Sequence, residues 1–81
     1  MISCSAYDHV EIVCMHQYPI KLTLKSGEII EGKAIDTSYD ANKQECIKLQ
    51  INNHTHLLVL ESIYLLEVTI NNPHFNKLTF N

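Results

Sequence analysis

Pro19 constrains this chain more than any other residue, because the sequence obeys one period before it and another after it. Proline has no N–H to give a helix and pushes the residue before it, here Tyr18, toward extended backbone. A helix arriving from the N-terminus must therefore finish around His16 or Gln17, and the chain must reverse there. Upstream, apolar residues recur at helical spacing. Downstream they alternate, so one helix is followed by strands.

The helical stretch is Ser5 to Gln17, SAYDHVEIVCMHQ. At ~100° per residue, Tyr7, Val10, Val13 and Cys14 fall on one side, which predicts a face packed on the strands. The opposite side carries Asp8, Glu11, Ile12 and Met15, two carboxylates one turn apart flanked by two apolar side chains. Such a face suits a basic partner, although acids on an outer helix face are most often simply solvated. Asp8 also lies where it favours the helix dipole. Ser5 followed by Asp8 at the third position resembles a capping box in its Asp form, with Ser3 as a competing cap. Tyr7 sits near the edge of the core side, and its orientation is left open.

From Ile20 the period is two, with Ile20, Leu22 and Leu24 on one face and Lys21, Thr23 and Lys25 on the other. Lys25-Ser26-Gly27-Glu28 supplies a glycine for a tight turn, and a second run, Glu28 to Asp36, returns antiparallel. Gly32 and Ala34 within it fit a strand that bends sharply or lets a neighbour approach closely. Thr37 to Lys43 is polar and reads as a loop before a third strand, Gln44 to Ile51. Asn52-Asn53-His54 reads as a turn. Thr55 to Leu60 is so uniformly apolar at Leu57, Leu58, Val59 and Leu60 that a central strand covered on both faces is expected. After the short break Glu61-Ser62-Ile63, a fifth strand runs from Tyr64 to Ile70. These elements predict a mainly β, α+β domain over residues 1–70: an N-terminal helix at about 5–17 and five antiparallel strands in a small, strongly bent barrel. The tail, 71–81, is expected to be loose or to add an edge strand.

Composition narrows the function. Nine carboxylates stand against six lysines and no arginine, a formal charge of −3, which argues against nucleic-acid binding because phosphate neutralisation requires Lys and Arg. Three cysteines, Cys4, Cys14 and Cys46, lack metal-type spacing and are odd in number, so a reducing cytoplasm is the expected setting. No apolar run approaches the ~18 residues of a membrane span, and a secretory signal pattern is lacking. His54, His56 and His74 read as surface histidines. His9 and His16 lie two turns apart on the helix, too far for one metal ion. Cys14 and His16 diverge by ~200° on the helix, which argues against a Cys–His nucleophile. With only Gly27 and Gly32 there is no phosphate-cradling loop. The chain is expected to be neither an enzyme nor a holder of metal or cofactor.

A family resemblance adds to this reading. Ile2, Cys4, Tyr7-Asp8, Glu11 and Cys14 form the pattern I-x-C-x-x-Y-D-x-x-E-x-x-C, followed by Leu24-Lys25-x-Gly27-Glu28, Lys33-Ala34, Asp36, Glu45 and the spacing from Leu60 to Ile63. Over roughly Ile2 to Val68 the chain resembles the Rof family of Rho-binding antiterminators. The resemblance implies an Sm-like fold, a helix followed by a bent five-stranded barrel, in agreement with the element order above. It also implies a protein that binds the termination factor Rho near its primary RNA-binding sites, excludes RNA from them and lowers Rho-dependent termination. By position, the partner-facing residues are Tyr7, Asp8 and Glu11 on the helix, with the polar loop at Asp40, Asn42 and Lys43. Ile12 and Met15 are candidates for buried contact. An acidic barrel with polar edge residues favours a monomer. The alternative is an Sm- or Hfq-like RNA-binding protein, since Gly27, Gly32 and Asp36 resemble a first Sm motif. Leu60-Glu61-Ser62-Ile63, however, has no Arg-Gly pair, and the net charge is negative.

Overall fold

The computed structural model describes residues 4–80. Helix α1 spans Cys4–Met15, and six strands follow: β1 Pro19–Leu24, β2 Ile29–Tyr39, β3 Glu45–Ile51, β4 His54–Val59, β5 Ile63–Val68 and β6 Lys77–Thr79. All pairings are antiparallel, and the strands form one sheet in the order β4-β3-β2-β1-β5-β6. Among the described residues no helix is long and apolar enough to cross a membrane.

The helix ends where Pro19 requires, by a specific device. Gln17 takes a left-handed φ of 51°. Its N–H donates to the Cys14 carbonyl at 3.1 Å, and the Tyr18 N–H donates to the Val13 carbonyl at 3.0 Å. These two bonds make a Schellman closure, which satisfies carbonyls that a helix end otherwise leaves without donors. Pro19 then opens β1, the one place in a strand where its missing N–H costs least. At the other end, Ser5 lies inside the helix and the Asp8 carboxylate is beyond the first turn, so neither the Ser5 cap nor the dipole role expected for Asp8 is realised. Ser3 lies outside the described residues.

The hairpins follow local chemistry. Gly27 has φ 95°, and its N–H donates to the Leu24 carbonyl at 2.9 Å, closing the β1–β2 turn. Asn52 and Asn53 have φ of 50° and 70°, the pair of positive values a two-residue β-hairpin needs. His54 is therefore the first residue of β4 rather than part of the turn.

β2 is longer than its hydrophobic pattern suggested. Thr37, Ser38 and Tyr39, expected in a loop, extend it and pair with β3, so the loop shrinks to residues 40–44. The strand serves two neighbours, β1 from Ile29 to Lys33 and β3 from Lys33 to Tyr39, and a bulge at Ile35 interrupts its ladder with β3. Bulges bend a strand and increase its twist. A second bulge, at Tyr64 in β5, sends Ile63 inward and leaves Tyr64 exposed.

The largest correction concerns β4. It is an edge strand, not a central one: His54, Thr55, His56 and Leu57 are exposed, and only Leu58 and Val59 are half-buried. The apolar run continues past the strand into a 3₁₀ turn, Leu60–Ser62, where Leu60 drops into the core. Part of the run thus belongs to a corner. The fold also has six strands, because the tail adds β6 at the edge of β5 and buries Phe80.

Curling follows from topology. In a flat sheet of this order β4 and β5 would lie four spacings apart, ~19 Å. From Val59 to Ile63 the chain reaches ~14 Å at most, and less when wound as a 3₁₀ turn. The sheet must bend round to bring its far strands together. The enclosed core contains Val10, Val13, Ile20, Leu22, Ala34, Ile47, Leu49, Leu60, Ile63 and Leu66, with Ala6 and Cys14 of α1. α1 lies chiefly against β2.

Three substitutions test this account by urea denaturation. Gln17→Gly removes the left-handed penalty at the helix end and is expected to stabilise by about 0.5–1 kcal/mol. A Cβ on Gly32 would stand 2.8 Å from Ile51 Cγ1 and 3.0 Å from the Gln50 carbonyl oxygen. Gly32→Ala should therefore destabilise by about 1–3 kcal/mol. Phe80→Ala, at a side chain 3 % exposed, should cost about 3 kcal/mol if the tail is integral to the core, and almost nothing if it is not.

Candidate functional site

Two surfaces of α1 are fixed by its packing. Ala6, Val10, Val13 and Cys14 are buried against the sheet, which turns Asp8 and Glu11 outward and leaves Met15 73 % exposed. Ile12 is half-buried between the two sides. Tyr7, at the edge of the core side by helical period, is half-buried and packed against the core. Its ring belongs to the boundary, with only part of it available to a partner.

Beside this face a groove runs between α1 and β2, lined by Glu11, Cys14, Met15, Ile35, Asp36 and Thr37. Glu11 and Met15 are one turn apart on the helix. The bulge at Ile35 shifts the alternation of β2, so Asp36 faces outward beside the groove. Asp36 Oδ1 accepts the Thr37 N–H at 2.8 Å, which orients the carboxylate. The Cys14 thiol is pushed up to about 12, first by burial and then by the negative charges of Asp36 and Glu11. Both carboxylates therefore act on one point of the groove, and the thiol remains protonated and non-nucleophilic at neutral pH.

The polar loop is organised by Asp40. Its Oδ1 accepts the N–H groups of Asn42 and Gln44, each at 2.9 Å, while its carbonyl accepts the Lys43 N–H at 3.0 Å. Lys43 takes φ 62°, the left-handed residue that completes a short hairpin loop. The Asp40 carboxylate shapes the loop, whereas Asn42 and Lys43 are exposed and free to meet a partner. The same Asp40 charge adds to burial in raising the Cys46 thiol.

Two features escape a reading of the sequence alone. Asp36 figures there as a strand end and a motif position but not as a site residue, because its outward position depends on the bulge. The tail, in turn, packs across α1: Phe75 stands edge-on to His9 at 4.8 Å, and His74 stacks on His16 at 4.8 Å, with Tyr18 on His16 at 5.1 Å. Asn72 pins this segment, donating to the Ile70 and Phe75 carbonyls and accepting from the His74 and Phe75 N–H groups. The Asn72-Pro73 pair was the available signal, and it marks a turn without saying where the turn docks. His54 and His56 are exposed, as is His74 despite its stacking. Among the described residues, no three His, Cys, Asp or Glu side chains are gathered closely enough to hold a metal ion.

Comparison with known proteins places the fold and the family. A solved structure described as YaeO bound to magnesium, from Vibrio cholerae O395, superimposes with a TM-score of 0.87 at 40 % identity, covering 93 % of this chain and 97 % of that one. Protein rof of Escherichia coli (strain K12) and that of Shigella flexneri are each 43 % identical over 35 residues. Those matches span 43 % of this chain and 42 % of each relative, so less than half the length of the curated relatives is matched. The model of the ROF family, described as modulator of Rho-dependent transcription termination, matches residues 1–80. The chain belongs to the Rof family of modulators of Rho-dependent transcription termination.

Proposed function

We propose that this chain binds Rho through the outer face of α1, keeps RNA off Rho's primary RNA-binding sites and so lowers Rho-dependent termination. The observation that carries the reading is the composition of that face: Asp8 and Glu11 exposed on the side opposite the core, next to a Met15 that is 73 % exposed. A surface that binds RNA phosphates must be basic, so an acidic face competes for it directly. Charge attraction speeds encounter and sets orientation. Lasting affinity requires desolvated contact, for which Met15, Ile12 and the exposed part of Tyr7 are suited. Asn42 and Lys43 at the tip of the hairpin loop are the second set of contacts, with Asp40 holding the loop in shape. In this reading the protein acts as a cytoplasmic monomer, by occupancy rather than by catalysis. A net charge of −3 without a single arginine supports protein binding over direct RNA binding.

The test is a charge reversal. Asp8→Lys combined with Glu11→Lys should leave the circular dichroism spectrum near native and weaken Rho binding by on the order of 1–3 kcal/mol, measured by titration calorimetry. Unchanged affinity would overturn the role of the acidic face. The native chain is also titrated with Rho and with single-stranded RNA across a salt series. Tight RNA binding with a steep salt slope, and none to Rho, would overturn the function itself.

A further inference from the structure

We propose that the groove between α1 and β2 seats one arginine side chain of Rho, which makes Asp36 a specificity residue alongside Glu11; this rests on the Rho-binding reading above. The groove's walls are of two kinds. Glu11 on the helix and Asp36 on the strand supply carboxylates, and Met15 and Ile35 supply apolar surface. Among the described residues neither carboxylate is held by a cation, and the one hydrogen bond to Asp36, from the Thr37 N–H, orients it without neutralising it.

The lining bears on the kind of cation. Glu11, Cys14 and Asp36 line one groove, yet they are not gathered closely enough to hold a single metal ion. The Cys14 thiol, protonated and buried, offers no charge of its own. A broader cation that carries apolar surface suits both the two carboxylates and the apolar walls. Arginine meets both requirements: its guanidinium presents five donors in a plane and can serve two carboxylates at once, and it is less strongly hydrated than an ammonium. Its methylene stem can lie along Met15 and Ile35 while the charged end reaches the acids. The groove is also continuous with the acidic face, since Glu11 and Met15 belong to both. One docking event would fill the groove and cover the face.

The experiment compares single carboxamide variants in Rho binding. Asp36→Asn keeps the shape and the acceptor for the Thr37 N–H, and Glu11→Gln keeps the length of its side chain. Each should weaken Rho binding by about tenfold, and together they should cost less than the product of the two, because one guanidinium serves both. Glu28→Gln, at the hairpin turn before β2, changes net charge equally and should stay within about twofold of the native chain. Native affinity for Asp36→Asn would overturn the groove proposal and leave the helix-face reading standing. An equal loss in Glu28→Gln would also overturn it, since general charge would then be the cause. Failure of the native chain to bind Rho at all would overturn both.

Discussion

The connection between β4 and β5 is three residues long, yet the strands it joins lie at positions one and five of the sheet. No flat sheet satisfies both facts, so the curl is imposed by chain length before any side chain is considered. The side chains then make the curl tolerable. Bulges at Ile35 and Tyr64 bend β2 and β5, and Gly32 lets β3 approach so closely that a methyl group there would force a shift. Leu60, in the connecting turn, is 1 % exposed and fills the corner. In a chain this small, where folding buries only about 60–65 % of the unfolded surface, each of these contacts is a large share of the core.

The surface proposed for Rho is a by-product of the same closure. α1 covers β2 with Ala6, Val10, Val13 and Cys14, which fixes the rotation of the helix about its axis and hence the direction of Asp8 and Glu11. The bulge that bends β2 also shifts its alternation, placing Asp36 beside Glu11 across the groove. Bending and charge placement thus share one residue insertion. The tail holds the helix from another direction, through His74 and Phe75 on His16 and His9. A helix clamped on two sides presents its remaining surface with little freedom, which lowers the ordering cost of any contact made there.

Much of this was legible in the residues, and the failures have a common cause. The helix and its exit, the β1–β2 turn and the close approach at Gly32 are all set by local chemistry: a proline, a glycine in a turn, a small side chain in a strand. The outward face of Asp8, Glu11 and Met15 followed from helical period alone. What periodicity could not reveal is where an alternation breaks. The run from Leu57 to Leu60 looks like a covered strand, but it crosses from an exposed edge into a buried corner, and a hydrophobicity pattern carries no mark of that transition. Thr37 to Tyr39 looks like a loop because polar residues on the bent half of β2 need no core. Asp36 and the tail depend on the same missing information: one on a bulge, the other on which helix face remains uncovered after the strands have packed.

The balance of forces on the proposed surface explains why an acidic face alone is insufficient. An exposed ion pair contributes only ~0.2–1 kcal/mol and weakens with salt, so pairs made on the open part of an acidic face supply little lasting affinity against a polyanion such as RNA. Full burial of a methionine side chain contributes ~1.5–3 kcal/mol and is far less sensitive to ionic strength. With Met15 73 % exposed, most of that gain is still to be realised on contact. The two terms act at different stages: charge governs approach and orientation, and apolar burial governs residence. Because Glu11 and Met15 occupy adjacent turns of one rigid helix, a partner steered to the carboxylate is delivered directly onto the thioether. In the proposed mode of binding, this adjacency is what would let a small acidic protein compete with RNA for a basic surface without carrying RNA's charge density.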